Sequence, residues 1–90
     1  MERTELERTE LLKRLEQVEL QIAQDMELIA RQRKVLAELD RKEVDNEAIQ
    51  IMLVGLENLL VVHLQEREKL RADLAEIDGG SSRGPEQPGR

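Results

Sequence analysis

Residues 48–64 read AIQIMLVGLENLLVVHL, the one long apolar block in an otherwise charged sequence. The block ends next to the chain's single histidine, His63. It holds more apolar side chains than one face of a helix accommodates. On one side Ile49, Leu53, Leu56 and Leu60 recur in alternating steps of four and three. That spacing places them along one stripe of a helix. The same steps continue through His63, Arg67, Leu70, Leu74 and Ile77. A second helix therefore runs from about Asn46 to Ile77, with an apolar seam interrupted by two successive polar positions.

Upstream, the matching pattern lies between Leu11 and Leu39. Leu11, Leu15, Val18, Ile22, Ile29, Leu36 and Leu39 fall at three- and four-residue spacings, the seam of a coiled coil. Asp25 and Gln32 occupy two seam positions where apolar residues are expected. Ile22-Ala23 recurs seven residues later as Ile29-Ala30. No Pro or Gly interrupts Met1 to Val54, so the first helix spans about residues 3–41, roughly 57 Å at about 1.5 Å per residue. Its first ten residues contain the five-residue repeat ERTEL. Five does not match a helical turn, so residues 1–10 form a solvated, charged helical lead-in.

Between the two patterns lies Asp40–Asn46, DRKEVDN, the most polar run between apolar segments. Asp45 or Asn46 suits the capping of a second helix. A tight connection is placed at about residues 42–45. The competing reading is a bend in one continuous helix, because this turn lacks Gly and Pro. That helix would expose a long apolar stripe unless it dimerised along its whole length. After the second helix, Asp78-Gly79-Gly80 carries a glycine stop signal. Residues 79–90 offer Gly, Ser and Pro with nothing apolar to bury, which predicts a disordered tail. The expected fold is all-α: an antiparallel helical hairpin of two long coiled-coil-like helices over residues 11–78.

A short turn makes the helices antiparallel. With the turn near residue 44, positions level across the seam have numbers summing to about 88. Val18 then meets Leu70, Leu11 meets Ile77, and Asp25 lies level with His63, with Arg67 one turn beyond. The polar breaks of the two helices coincide in a layer of Asp25, Gln32, His63 and Arg67. A carboxylate among Leu and Ile is costly unless a partner neutralises it. His63 and Arg67 supply that partner. One role for such a layer is to fix register and orientation. The other is to sense protons or bind a small ligand.

With the seam used up, Ile51, Val54, Val61 and Val62 form a second stripe roughly opposite it, with Gly55 and Asn58 among them. A solvated helix face carries Glu, Lys or Gln there. Two helices also make a thin core. The stripe therefore predicts a homodimer, two hairpins forming a four-helix bundle, in which Gly55 allows close approach and Asn58 bonds near the two-fold axis. Another protein's helix is the competing occupant. Shallow membrane contact lacks the flanking cations that anionic lipid requires.

Composition narrows the function classes. The 90 residues are 38% charged with net charge -6, and they include no Trp, Tyr, Phe or Cys. The acidic balance, with Arg and Lys alternating with Glu, argues against nucleic acid. Without Cys there is no disulfide or thiol chemistry, which fits a reducing compartment. No stretch is an uninterrupted apolar run of membrane-spanning length, because Gln50, Glu57, Asn58 and His63 break the central block. Ser occurs only at Ser81 and Ser82. There is no Gly-rich phosphate loop and no pair of histidines for zinc. One His and one Asp are too few for a metal site. The expectation is a non-enzymatic protein without catalytic residues, metal or cofactor.

The segments Ile22-Ala23, Ile29-Ala30-Arg31-Gln32-Arg33, Leu56-Glu57, His63 and Glu66-Arg67-Glu68-Lys69-Leu70 together resemble a group of short, uncharacterised two-helix proteins of soil alphaproteobacteria. The likeness covers about residues 18–74. Those proteins share an I-A-x-Q-R-like segment, a turn, a Phe-Glu, a His and an Asp-Arg-x-Arg-Leu-like end. This chain departs in having no Gly in the turn and Leu56 in place of Phe. The resemblance implies a cytoplasmic helical hairpin and no activity. It puts Gln32, Glu57, His63 and Arg67 on matching positions.

Overall fold

A computed structural model describes the backbone of residues 2–86 and the side chains of residues 4–79. Two α-helices of 40 residues each, α1 (Glu2–Arg41) and α2 (Glu47–Glu86), lie side by side and antiparallel. The fold is an all-α helical hairpin, a slab of 63 × 30 × 14 Å. It is one helix thick, so the described side chains outside the seam are exposed or half-buried.

The seam follows the four-and-three spacing. Val18, Ile22, Ile29, Leu53, Leu70 and Leu74 are buried, and the other seam residues from Leu11 to Leu39 and from Ile49 to Ile77 are buried or half-buried. Side chains off the seam are mostly exposed. The helices hold together by removing this one stripe from water, since solvated helices of this composition gain little from propensity alone.

The connection is a tight turn, and glycine is not what makes it. Val44 N–H donates to the Leu39 carbonyl at 2.9 Å and Glu43 N–H to the Asp40 carbonyl at 3.0 Å. This pair of bonds is the Schellman arrangement, which requires a left-handed residue after the helix. Glu43 takes that conformation with φ of 60°. Two neighbours then start α2. The Glu47 N–H donates to Asp45 Oδ1 at 3.1 Å, and the Asn46 carbonyl accepts from the Gln50 N–H at 3.0 Å. The Asn46 side chain reaches back to Asp40 Oδ1 at 3.1 Å, tying the two helix ends together.

One boundary departs from the sequence expectation. Residues 79–86, expected as the start of a disordered tail, continue α2 to Glu86. Residues 87–90 lie outside the described residues. The glycine stop signal goes unused, because no glycine among the described residues has positive φ. Glycine lowers helix propensity by about 1 kcal/mol per residue without forbidding the helix. Just before it, Asp78 pairs with Arg8 of α1 at 2.8 Å.

Candidate functional site: a polar layer and an apolar surface

The seam's polar layer lies midway along the slab. Asp25 is 5% exposed, the one buried charged residue among those described. His63 faces it from α2, and its Nδ1–H donates to Asp25 Oδ2 at 2.5 Å. An ionised carboxylate only accepts, so the imidazole presents its proton from Nδ1. The position is dictated by the two heptad patterns: both residues sit on the seam, and the turn length brings them level. The bond gives the carboxylate the partner that burial demands.

The other two residues of the expected layer do not join that bond. Gln32 is half-buried on the seam one heptad beyond Asp25, level with Leu56 by register. Arg67 is half-buried on α2 one turn beyond His63, and its Nε is buried without a hydrogen-bond partner. The layer is thus one tight pair flanked by two separate polar seam residues. Beside it runs a shallow groove lined by Arg14, Gln17, Gln21 and Glu66, with Val18, Val62 and the edge of His63. Among the described residues no group of three metal-ligating side chains occurs.

The two broad faces of the slab differ. Labelling the seam positions a and d of a heptad, positions e of both helices share one face and positions g the other. The e face is laced across the helices by ion pairs: Arg33 to Glu57 at 2.7 Å and Arg71 to Glu19 at 3.4 Å. Sequence reading did not single these pairs out, although the register places each of them nearly level. Such exposed pairs add little stability, on the order of 0.5 kcal/mol each, but they reinforce the register.

The g face has no cross-helix ion pair among the described residues. Gln21 and Glu66 line the groove on this face. One heptad nearer the turn the same positions hold Leu28 and Leu59, and one further Val35 and Met52. All four are exposed. The outer stripe of α2 is exposed as well. Ile51 is 66% exposed, and Val54, Val61, Val62, Gly55 and Asn58 also face solvent. A Cβ added at Gly55 would meet nothing within 4 Å.

No family model, curated protein or solved structure matches the chain. By length and composition α2 is apolar enough over residues 47–79 to cross a membrane, and most of that stretch is exposed in the hairpin.

Proposed function

We propose that this chain is a non-enzymatic interaction module: a helical hairpin that works as a homodimer and presents helix surfaces to a partner. The carrying observation is the concentration of exposed aliphatic side chains on α2 between Ile51 and Val62. Apolar patches beyond a few hundred Å² are uncommon on monomers and mark association sites. The stripe of Ile51, Val54, Gly55, Asn58, Val61 and Val62 offers that surface to a second copy or to another helical protein. The cytoplasm is the proposed compartment, on a cysteine-free composition suited to reducing conditions.

The acidic surface supports a protein partner over nucleic acid. A membrane span is the less favoured use of α2. Insertion would take Glu57 away from Arg33 and His63 away from Asp25, the bonds that hold α2 in the hairpin. It would also place an ionisable pair of residues and Asn58 in hydrocarbon. Sedimentation equilibrium tests the module reading. A dimer is expected; a fully helical monomer at tens of micromolar and above overturns it.

The Asp25–His63 pair favours a second reading, a proton or small-ligand sensor built on Asp25, His63 and Arg67. The interaction module expects the same helicity between about pH 5 and 8. A sensor expects the melting temperature to move within that window. Circular dichroism melts at a series of pH values separate the two.

A further inference from the structure

The homodimer reading leaves open which surface the second copy covers, and resting on that reading we infer that it covers the turn-proximal half of the g face, with the two open ends pointing away from each other. A four-helix bundle is made by stacking the broad faces of two hairpins. The outer stripe of α2 is an edge of this slab, so a bundle cannot be closed through it alone. Of the two broad faces, the e face is already occupied by the Arg33–Glu57 and Arg71–Glu19 ion pairs. Burying those charges would cost desolvation. The g face offers Leu28, Val35, Met52 and Leu59, bordered by Val62 and Ile51 from the edge, and each is between 39% and 66% exposed.

The area matches a second copy. Fully burying an aliphatic side chain stabilises by about 1.5–3 kcal/mol at about 25 cal/mol per Å², which corresponds to roughly 60–120 Å² of surface. Six such side chains about half exposed leave on the order of 300 Å² of apolar surface to cover. Two copies together contribute about 600 Å². With about 60% of an interface apolar, the total comes to about 1,000 Å², the lower bound of a specific interface.

Charge fixes the direction. The open half of the g face is acidic on balance: Glu7, Glu10, Asp73 and Glu76 surround Leu11 and Ile77, against Arg14 and the Lys69 that pairs with Asp73 at 3.8 Å. Copies stacked with their turns at the same end would oppose two such clusters. Copies that overlap only by their turn-proximal halves keep the clusters apart and pair apolar surface with apolar surface. Each helix then lies antiparallel over its own counterpart. On α2, Leu59 of one copy comes level with Met52 of the other, and the two-fold axis passes near Gly55. With that axis the turn of each copy comes level with about Gln21 and Arg67 of the other, an overlap of about 34 Å at about 1.5 Å per residue. The dimer is accordingly a rod of about 90 Å, against about 65 Å for complete overlap.

Sedimentation equilibrium and small-angle X-ray scattering on the full chain test this, with Val35→Glu and Leu59→Glu on the g face, Met26→Glu on the e face and Val61→Glu on the edge. Helicity of each variant is checked by circular dichroism, which separates loss of dimer from loss of fold. The expected result is a wild-type dimer about 90 Å long. Val35→Glu and Leu59→Glu should weaken it by at least tenfold while remaining helical, and Met26→Glu should change it less than threefold. A wild-type monomer overturns the homodimer reading together with this one. A dimer that survives both g-face substitutions but fails in Met26→Glu or Val61→Glu overturns the choice of face and leaves the homodimer standing. A compact dimer of about 65 Å overturns the orientation.

Discussion

Asp25 is the residue on which the seam is most exposed to error, because a buried carboxylate tolerates no vacancy opposite it. Its single bond, to His63 at 2.5 Å, is mostly shielded from water: the two side chains are 7% and 17% exposed. Asp25→Ala leaves an imidazole in the seam without its acceptor and should cost about 1–3 kcal/mol. Replacing both residues by Leu removes the unpaired group and the desolvation together. Asp25→Leu with His63→Leu should therefore be at least as stable as the wild type. Urea unfolding of the two singles and the double closes the cycle; a double variant less stable than either single would show that the pair stabilises beyond mutual neutralisation. Glu43 presents the opposite case, a residue that fits its place poorly. Its φ of 60° costs an L-residue about 1–2 kcal/mol relative to its preferred regions. Glu43→Gly removes that cost at the expense of greater chain entropy in the unfolded state, for an expected net gain of about 0.5–1 kcal/mol in the same assay. A loss would mean that the Glu43 side chain, and not only its backbone, holds the turn.

At the scale of the helices, α2 carries a contradiction that only another surface resolves. Gly55 lies inside the third turn of the 40-residue α2, and a Cβ there would meet nothing within 4 Å. Gly55→Ala should raise the stability of the isolated hairpin by about 0.5–1 kcal/mol through helix propensity, measured as a higher melting temperature in dilute solution. With the two-fold axis passing nearby, the same methyl should weaken the dimer. A rise in melting temperature at every concentration would place the second copy's backbone away from this residue. The helices themselves were legible from spacing. Four-and-three steps named the seam, and a turn of fixed length set Asp25 against His63. The turn position was legible from the polar run 40–46, but its cap was not. A left-handed Glu looks like any other Glu until the Val44 and Glu43 amides are traced to the Leu39 and Asp40 carbonyls. The end of α2 was misread for the converse reason. Gly79 and Gly80 permit a helix stop, and permission is all a glycine pair encodes. Arg67 was expected to share the Asp25 charge, yet the steps that set the seam fix height along the helix and leave the course of a long side chain undetermined.

For the whole molecule, the deciding quantity is how little a slab one helix thick can bury. Among the described residues its apolar core comprises six buried side chains, with a buried carboxylate beside them. The long α1, rich in Glu, Arg and Lys, supplies solubility but no second layer. On the homodimer reading, each hairpin gains much of its stability only when its apolar face is covered. Folding and association should be coupled in the way expected of an obligate small dimer. A tenfold rise in protein concentration adds about 1.4 kcal/mol per dimer, or about 0.7 kcal/mol per chain. At about 4–8 °C per kcal/mol for a domain of this size, the melting temperature should climb by about 3–6 °C for each decade of concentration. Val35→Glu should flatten that dependence as well as lower the curve, because it removes the association and leaves the seam intact. Differential scanning calorimetry over two decades of concentration makes the measurement. A melting temperature independent of concentration, in a chain that sediments as a dimer, would mean that the single seam is sufficient for folding and that the exposed face of α2 contributes to recognition alone.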